Sequence, residues 1–246
     1  MMKVIVTKNY EEMCQKAARI IAAQITLKED SVLGLATGST PVGIYQELVK
    51  KYEDGRLDFS EIVTVNLDEY VGLAPENEQS YRWFMNHHLF DHINIPKQYT
   101  YVPKGLSDDL EDECDNYELL IQQLGGVDLQ LLGLGANGHI GFNEPSSAFA
   151  AETHVCALSD STIEANSRFF ASKEEVPTSA ITMGIGTIMQ AKKILLVANG
   201  ENKAKAIQQM LFGPVTPQCP ASILRFHQDV TVIVDEAAFS LAAEQE

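Results

Sequence analysis

The sequence predicts an α/β fold in which an open, mainly parallel sheet has helices on both faces, a Rossmann-like three-layer arrangement. Short apolar runs alternate along the chain with longer stretches whose apolar residues recur at helical spacing. Strands that are apolar throughout are typical of parallel sheets covered on both faces. No internal repeat and no linker rich in proline, glycine or serine divides the chain, so residues 1–246 are predicted to form one domain.

The first half of the chain contains three strand-like runs. Residues 3–6 are mainly β-branched, and the apolar side chains between residues 13 and 25 repeat at the spacing of an amphipathic helix. Residues 32–36 read as a buried strand, and after a glycine turn residues 44–52 place apolar side chains on one helical face. Residues 62–67 are the third strand-like run, which follows this helix.

The second half continues the alternation of helices and strands. Residues 80–90 have a helical pattern, and a long helix over residues 107–124 is stopped by Gly125 and Gly126. The acidic residues between positions 108 and 118 are interpreted as the solvated face and first turns of this helix. The remaining predicted elements are strands at 129–134, 193–198 and 230–234 and a helix at 203–211.

Charge and cysteine content restrict the class of protein. The formal net charge of -16 argues against nucleic acid or an anionic membrane surface as the main partner, because both require a basic face. The four cysteines have no short paired spacing, which is typical of free thiols in a reducing compartment. No apolar run is long enough to span a bilayer. We therefore expect a cytoplasmic protein that acts on a small molecule.

Four polar or glycine-rich segments each follow an apolar strand. They are residues 37–40, 68–70, 137–144 and 199–203. In open α/β sheets, ligands bind beyond the carboxyl ends of the strands, where such segments converge. The sequence therefore predicts that the four segments form one site.

The first segment has the features of an anion site. Gly38 allows a tight turn, Thr37, Ser39 and Thr40 supply hydroxyls, and the positive end of a helix follows. We expect Thr40 to be the N-cap and Pro41 the first helical residue. The Walker spacing is absent, and an ordinary capped helix start is the alternative.

A phosphate would also require positive charge. Arg168 and Lys203 are the candidate counter-charges, although either one alone could be an ordinary surface cation. Adjacent carboxylates, Asp68 and Glu69, leave the sheet after the third strand. A buried Asp68 would have a raised pKa and would be a better proton acceptor, and the alternative is a pair of exposed turn acids.

The third segment begins with the pattern G-x-G-x-x-G at Gly133, but it does not fit a dinucleotide site. A dinucleotide fingerprint opens a helix, whereas residues 139–145 contain two helix breakers and no helical period. His139 lies between glycines, and Glu144 and Asn137 are near enough to orient its ring for proton transfer. These residues indicate an acid–base group.

Metal and hydrolase motifs are not found. The chain has no H-E-x-x-H, no paired cysteines and no pattern of the zinc nucleobase deaminases, so no metal site is predicted. His87 and His88 are adjacent on a predicted helix and would point in different directions. The G-x-S-x-G elbow of serine hydrolases is also absent.

Taken together, residues 35–41, 66–73, 135–145 and 165–170 resemble the glucosamine-6-phosphate deaminase family, and the resemblance extends from about residue 32 to residue 234. It implies conversion of glucosamine 6-phosphate and water to fructose 6-phosphate and ammonia, with neither a metal nor an organic cofactor. His139, steadied by Glu144 and Asn137, would open the sugar ring. Asp68 would then move a proton from C2 to C1.

The resemblance also implies the substrate contacts and a mobile lid. The lid corresponds to residues 158–177 and includes Arg168, which would reach the phosphate on closure. Related sugar-phosphate families share the phosphate turn, so a 6-phosphogluconolactonase and a non-catalytic sugar-phosphate sensor are the alternatives. The expected substrate and phosphate contacts are Thr37, Gly38, Ser39, Thr40, Glu69, Tyr81, Arg168 and Lys203.

Two departures from the longer, allosteric members of that family matter. Those members have an aspartate at the position of Asn137, so here Glu144 alone would be the charged partner of His139. They also bind N-acetylglucosamine 6-phosphate with basic residues at a subunit interface, where this chain has His154 and Cys156. We therefore expect hyperbolic kinetics without that activator, in a monomer or a small homo-oligomer.

Overall fold

The computed structural model describes residues 2–170 and 172–245. Its largest element is a seven-stranded sheet in which every neighbouring pair of strands is parallel. The strands of the described residues are β1 (Met2–Thr7), β2 (Val32–Leu35), β3 (Val63–Asn66), β4 (Asp68–Tyr70), β5 (Thr100–Tyr101), β6 (Leu129–Leu132), β7 (His154–Ala157), β8 (Ser179–Thr182), β9 (Ile194–Ala198) and β10 (Val230–Asp235).

Helices surround this sheet, which confirms the predicted fold class. The helix α1 packs against β1, β9 and β10 and against α2, and one hydrophobic core connects these elements. The helices are α1 (Tyr10–Leu27), α2 (Val42–Glu53), α3 (Tyr81–His88), α4 (Leu110–Gln123), α5 (Asp160–Asn166), α6 (Ile185–Met189), α7 (Ala204–Phe212) and α8 (Glu236–Phe239). In the part of the chain that the structure describes, no helix is both long and apolar enough to cross a membrane.

The strand order places the ligand-binding edge. The strand order of the sheet is β1-β10-β9-β6-β2-β3-β5. Strands β3 and β5 therefore extend the sheet on one side of β2, and β6 pairs with β2 on its other side. Ligands of open α/β sheets bind where the order reverses, at the carboxyl ends of the two central strands. The close pairing of β2 and β6 requires Gly34, since a Cβ there would lie 2.0 Å from Gln130 Oε1. The crevice therefore opens beyond β2 and β6.

A second sheet was not predicted. Strands β4, β8 and β7 form an antiparallel sheet in which Asp68 pairs with Thr182 and Tyr70 with Ala180. Residues 68–70 thus form an edge strand of a second sheet rather than a loop. The predicted lid lies between β7 and β8 and contains α5; one of its residues, Ala171, lies outside the described residues, as do Met1 and Glu246. The three strands are too short to give a periodic signal in the sequence.

Two of the predicted helices start later than expected because their first turns are capped differently. The long acidic helix begins at Leu110, where the Asp109 carboxylate accepts hydrogen bonds from the N–H groups of Glu111 and Asp112. The helix after the glycine turn begins at Val42, one residue later than expected, with Pro41 at the cap position and no cap from its own side chain. Thr40 does not cap the helix because its hydroxyl donates to Asn199 Oδ1 at 2.9 Å.

Candidate active site

A cavity of about 500 Å³ lies at the carboxyl ends of the central strands. It receives residues from all four predicted segments and from the predicted lid. All but two of the residues predicted for the site line this cavity. The predicted residues that line it are Thr37, Gly38, Ser39, Thr40, Asp68, Tyr81, Asn137, His139, Arg168 and Lys203. The other two do not line it: Glu144 lies next to Nδ1 of the His139 ring, and Glu69 accepts a hydrogen bond from Ser80.

One end of the cavity is electropositive and rich in hydroxyls. The backbone of Gly38 has a φ of 96°, a left-handed conformation that favours glycine, and it turns the chain from β2 toward α2. Arg168 Nη2 lies 3.4 Å from Ser39 Oγ across this turn. Burial lowers the pKa of Lys203, and the neighbouring charge of Arg168 lowers it further. Two neighbouring cations beside hydroxyl groups are stabilised by an anion between them.

Asp68 lies in the floor of the cavity as the first residue of β4. Its side chain is 6% exposed, and its carboxylate accepts no hydrogen bond from any residue in the described ranges. Burial, reinforced by the charge of Glu69, raises the pKa of Asp68 to about 8. The sequence left open whether this aspartate is an exposed turn acid, and the structure shows that it is buried.

Glu69 does not reach the cavity, which corrects its expected role as a substrate contact. Its Oε1 accepts hydrogen bonds from the N–H groups of Tyr70 at 2.8 Å and Tyr81 at 2.9 Å. Its Oε2 accepts from the Ser80 hydroxyl at 2.7 Å and from the Arg82 N–H at 3.0 Å. The side chain alternation of a strand points Glu69 away from the side of Asp68. Glu69 therefore joins β4 to the start of α3 and fixes Tyr81 in the cavity wall.

His139, Glu144 and Asn137 are brought together as predicted. His139 Nδ1 lies 3.4 Å from Glu144 Oε2, and Asn137 Nδ2 donates to that same oxygen at 2.6 Å. The side-chain oxygen Asn137 Oδ1 accepts a hydrogen bond from the backbone N–H of His139 at 3.2 Å. Burial acts to raise the pKa of Glu144, but hydrogen bonding and charge from His139, with donors from Thr162 and Asn137, lower it to about 2. Glu144 is therefore an ionised partner for the imidazole.

The glycines of this segment fold the chain around the His139 ring. Gly135 N–H donates to the His139 carbonyl at 2.9 Å, and a Cβ at Gly135 would lie 2.4 Å from His139 Nε2. Gly141 has a φ of 57°, and a Cβ there would meet Thr182 Oγ1 at 2.8 Å and lie 3.7 Å from Asp68 Oδ2. Gly135, one glycine of the pattern that resembles a dinucleotide fingerprint, thus provides space for the His139 ring, and Gly141 provides space for Thr182.

Several polar residues of the site were missed from the sequence. The Thr162 hydroxyl donates to Glu144 Oε1, and the Asn166 amide donates to the Tyr70 hydroxyl at 2.9 Å, so both connect the predicted lid to the site. Asn199 accepts from Thr40, and Asn202 lines the cavity near Lys203. A lone threonine or asparagine has no distinguishing local pattern; position after a strand was the available signal, and it applied only to Asn199 and Asn202.

Aromatic rings form the wall between the predicted lid segment and the second sheet. Tyr81 stacks on Phe142 with ring centroids 6.1 Å apart, and Tyr70 lies 4.8 Å from Tyr81 and 5.9 Å from Phe170. Such a wall keeps water away from Asp68 and so contributes to its raised pKa. Across residues 2–170 and 172–245, no group of three His, Cys, Asp or Glu side chains is arranged to hold a metal ion.

The chain is similar to known proteins over nearly its whole length. Residues 7–233 match the family model described as glucosamine-6-phosphate isomerases/6-phosphogluconolactonase. A glucosamine-6-phosphate deaminase of Lachnoclostridium phytofermentans is 61% identical over 232 residues, which cover 94% of this chain and 98% of that protein. One from Clostridioides difficile is 56% identical over 239 residues, which cover 97% of this chain and 96% of that protein.

Solved structures agree with this assignment. A monomeric glucosamine-6-phosphate deaminase matches with a TM-score of 0.96 at 49% identity, covering 98% of this chain and 100% of that chain. A 6-phosphogluconolactonase from Leishmania guyanensis matches with a TM-score of 0.77 at 23% identity over 97% of each chain, which shows a shared fold. The chain belongs to the glucosamine-6-phosphate isomerase and 6-phosphogluconolactonase family.

Proposed function

We propose that this protein is a glucosamine-6-phosphate deaminase, which converts glucosamine 6-phosphate and water to fructose 6-phosphate and ammonia. One observation supports this most directly: Asp68 is buried and accepts no hydrogen bond from the described residues. It shares its cavity with His139, the partner of Glu144, and with a positively charged region suited to an anion. Isomerisation of a sugar phosphate uses this set of groups: a base that removes a proton from carbon, an acid–base group that transfers protons between oxygens, and residues that bind the phosphate.

His139 is proposed to open the sugar ring. It would transfer a proton between the C1 hydroxyl and the ring oxygen, which gives the open-chain aldehyde with its amine on C2. The ionised Glu144, 3.4 Å from Nδ1, would stabilise the ring when it takes up the proton. Asn137 would hold Glu144 in position through its 2.6 Å hydrogen bond, without adding a second charge.

Asp68 is proposed to act on carbon afterwards. It would take the proton from C2, giving an enolamine between C1 and C2, and return the same proton to C1. The product of that step is an imine at C2; water adds to this carbon and ammonia leaves, which forms the ketone of fructose 6-phosphate. A carboxylate with a pKa of about 8 is a stronger base than an ordinary aspartate, and the same group can act first as base and then as acid on one face of the sugar.

The phosphate is proposed to bind between the glycine turn and the lid. Ser39, Thr40, Arg168 and Lys203 surround the cationic end of the cavity, and Arg168 comes from the segment between β7 and β8. Closure of this segment, residues 158–177, would bring Arg168 onto the phosphate and exclude water from Asp68. The Thr162 and Asn166 hydrogen bonds would form part of the closed arrangement.

Asp68 also decides between this function and 6-phosphogluconolactonase activity. Lactone hydrolysis needs an activated water and no base for a carbon-bound proton, so a buried carboxylate beside the substrate carbons would have no use. We infer further that the chain is a monomer, as its 49% identical structural relative is, and that it works in the cytoplasm, where its four unpaired cysteines stay reduced.

The test is ammonia release from glucosamine 6-phosphate, measured beside hydrolysis of 6-phosphogluconolactone. We expect ammonia and fructose 6-phosphate in equal amounts and no lactone hydrolysis above the uncatalysed rate. Asp68→Asn purified in the same way serves as the control for contaminating enzymes. No ammonia above the blank at millimolar substrate would overturn the proposal, and lactone hydrolysis in its place would favour the alternative.

A further inference from the structure

The first turn of α2 is capped by a residue from another helix. The turn receives no cap from the side chain of Pro41, and Thr40 is engaged elsewhere. The hydroxyl of Tyr10, the first residue of α1, fills this place. Its oxygen accepts the backbone N–H of Gly43 at 2.9 Å and donates to the Thr40 carbonyl at 3.0 Å, with the Ser39 carbonyl 3.3 Å away.

The chain provides a fitted space for this hydroxyl. A Cβ at Gly43 would lie 2.9 Å from Tyr10 Oη and 2.7 Å from Cys14 Sγ, so a larger residue would force both side chains to shift. Glycine inside a helix destabilises it relative to alanine, and Gly43 here admits a side chain from a neighbouring helix. Burial raises the pKa of Tyr10 to about 12, so the hydroxyl remains a neutral donor.

Tyr10 acts on the glycine turn from outside the cavity that holds Asp68 and His139. It lines an adjoining cavity of about 700 Å³, which shares Gly38 and Ser39 with the first cavity. Its two hydrogen bonds fix the main chain at Thr40 and Gly43, which leaves the Ser39 hydroxyl facing Arg168 and the Thr40 hydroxyl facing Asn199. The orientation of these two hydroxyls therefore depends on a contact made by α1.

We propose that Tyr10 is a positioning residue that holds the glycine turn in its phosphate-binding conformation. The inference rests on the proposed function for the identity of the substrate, but not for the anion site itself. The phosphate group is remote from the reacting carbons, so we expect the part of its binding that depends on Tyr10 to be equal in the ground state and the transition state. Loss of such a contact raises KM and leaves kcat nearly unchanged.

The experiment compares Tyr10→Phe with Tyr99→Phe, a control that removes the hydroxyl of an exposed tyrosine. With glucosamine 6-phosphate, we expect KM to rise about 5- to 30-fold in Tyr10→Phe, kcat to stay within about twofold, and Tyr99→Phe to match the parent protein. Inorganic phosphate should also bind more weakly to Tyr10→Phe by calorimetry, by a similar factor. A fall in kcat at unchanged KM, or unchanged phosphate affinity, would overturn the proposal.

Phosphate titration keeps this test separate from the proposed function, because it needs no turnover. The parent protein could release no ammonia and still bind phosphate more tightly than Tyr10→Phe does. That result would overturn the deaminase assignment and support the role of Tyr10. Should Tyr10→Phe fail to fold, Gly43→Ala provides a second route, since its Cβ displaces the hydroxyl without deleting it. We expect Gly43→Ala to weaken phosphate binding as well, and unchanged affinity would overturn the proposal.

Discussion

His139 Nδ1 faces Glu144 Oε2 at 3.4 Å, and that single contact defines the acid–base pair of the cavity. Asn137 and Thr162 donate to the two oxygens of the same carboxylate, so Glu144 is held from three directions. The pKa of Glu144, about 2, lies below its usual range in spite of burial, and the carboxylate stays ionised at every working pH. The imidazole thus has a fixed negative partner.

Replacing this carboxylate should remove most of the activity. We expect Glu144→Gln to lower kcat/KM by about 10²–10⁴-fold, because an amide cannot stabilise the protonated imidazole. The matched control is Glu152→Gln, which changes an exposed glutamate on the same connection to β7. Steady-state ammonia release measures both variants. Equal kcat/KM in Glu144→Gln and the parent would contradict the assigned role.

Asp68→Asn should separate binding from chemistry. We expect it to bind fructose 6-phosphate about as well as the parent while kcat falls by about 10²–10⁴-fold, because the base for the C2 proton is lost. It should also be more stable by about 1–3 kcal/mol at neutral pH, since a buried carboxylate without partners opposes folding. Calorimetry and urea unfolding test these points. Retained turnover would remove Asp68 from its role as base.

The pH dependence follows from the raised pKa of Asp68. The ionised form is the base, so kcat/KM should fall about tenfold per pH unit below about pH 8. The folded pKa lies above that of the unfolded chain, so the stability due to Asp68 is fully present below about pH 4 and is lost as pH rises toward about pH 8. Subtracting the unfolding free energy of Asp68→Asn at each pH isolates this change. A kcat/KM plateau extending down to pH ~6 would contradict the assignment of ionised Asp68 as the base.

The cationic end of the cavity should affect binding rather than chemistry. We expect Lys203→Gln to raise KM about 10- to 100-fold with a smaller change in kcat, since a charged hydrogen bond to the phosphate is lost. Lys205→Gln is the matched control, because Lys205 is an exposed lysine two residues along the chain. An equal rise in KM in both variants would point to a general effect of charge and not to a phosphate contact.

The kinetics should be hyperbolic in the absence of any activator. His154 and Cys156 stand where the family resemblance places the basic residues of allosteric members, and His154 Nδ1 lies 2.9 Å from the carbonyl of Glu152, two residues before it in the chain. Neither side chain adds a fixed positive charge for an acetylated sugar phosphate. Initial rates with and without N-acetylglucosamine 6-phosphate test this. A sigmoidal curve that becomes hyperbolic on its addition would contradict the prediction.

The sequence by itself determined the parallel sheet, the glycine turn beyond β2 and the cluster around His139. Apolar runs such as β9 and breakers such as Gly38 act over a few residues, so their consequences are local and can be read without knowledge of distant contacts. The order of strands then brings the ends of β2 and β6 together. For this reason all the residues of the predicted site except Glu69 and Glu144 line one cavity.

The tertiary structure alone decided the burial of Asp68, the direction of Glu69 and the cap that Tyr10 supplies to α2. Asp68 and Glu69 are adjacent acids with the same local signal, and only the pairing of β4 with β8 turns one into the cavity and the other under α3. Tyr10 meets Gly43 across 33 positions of the chain. Such contacts depend on how separate elements pack, and no local propensity encodes them.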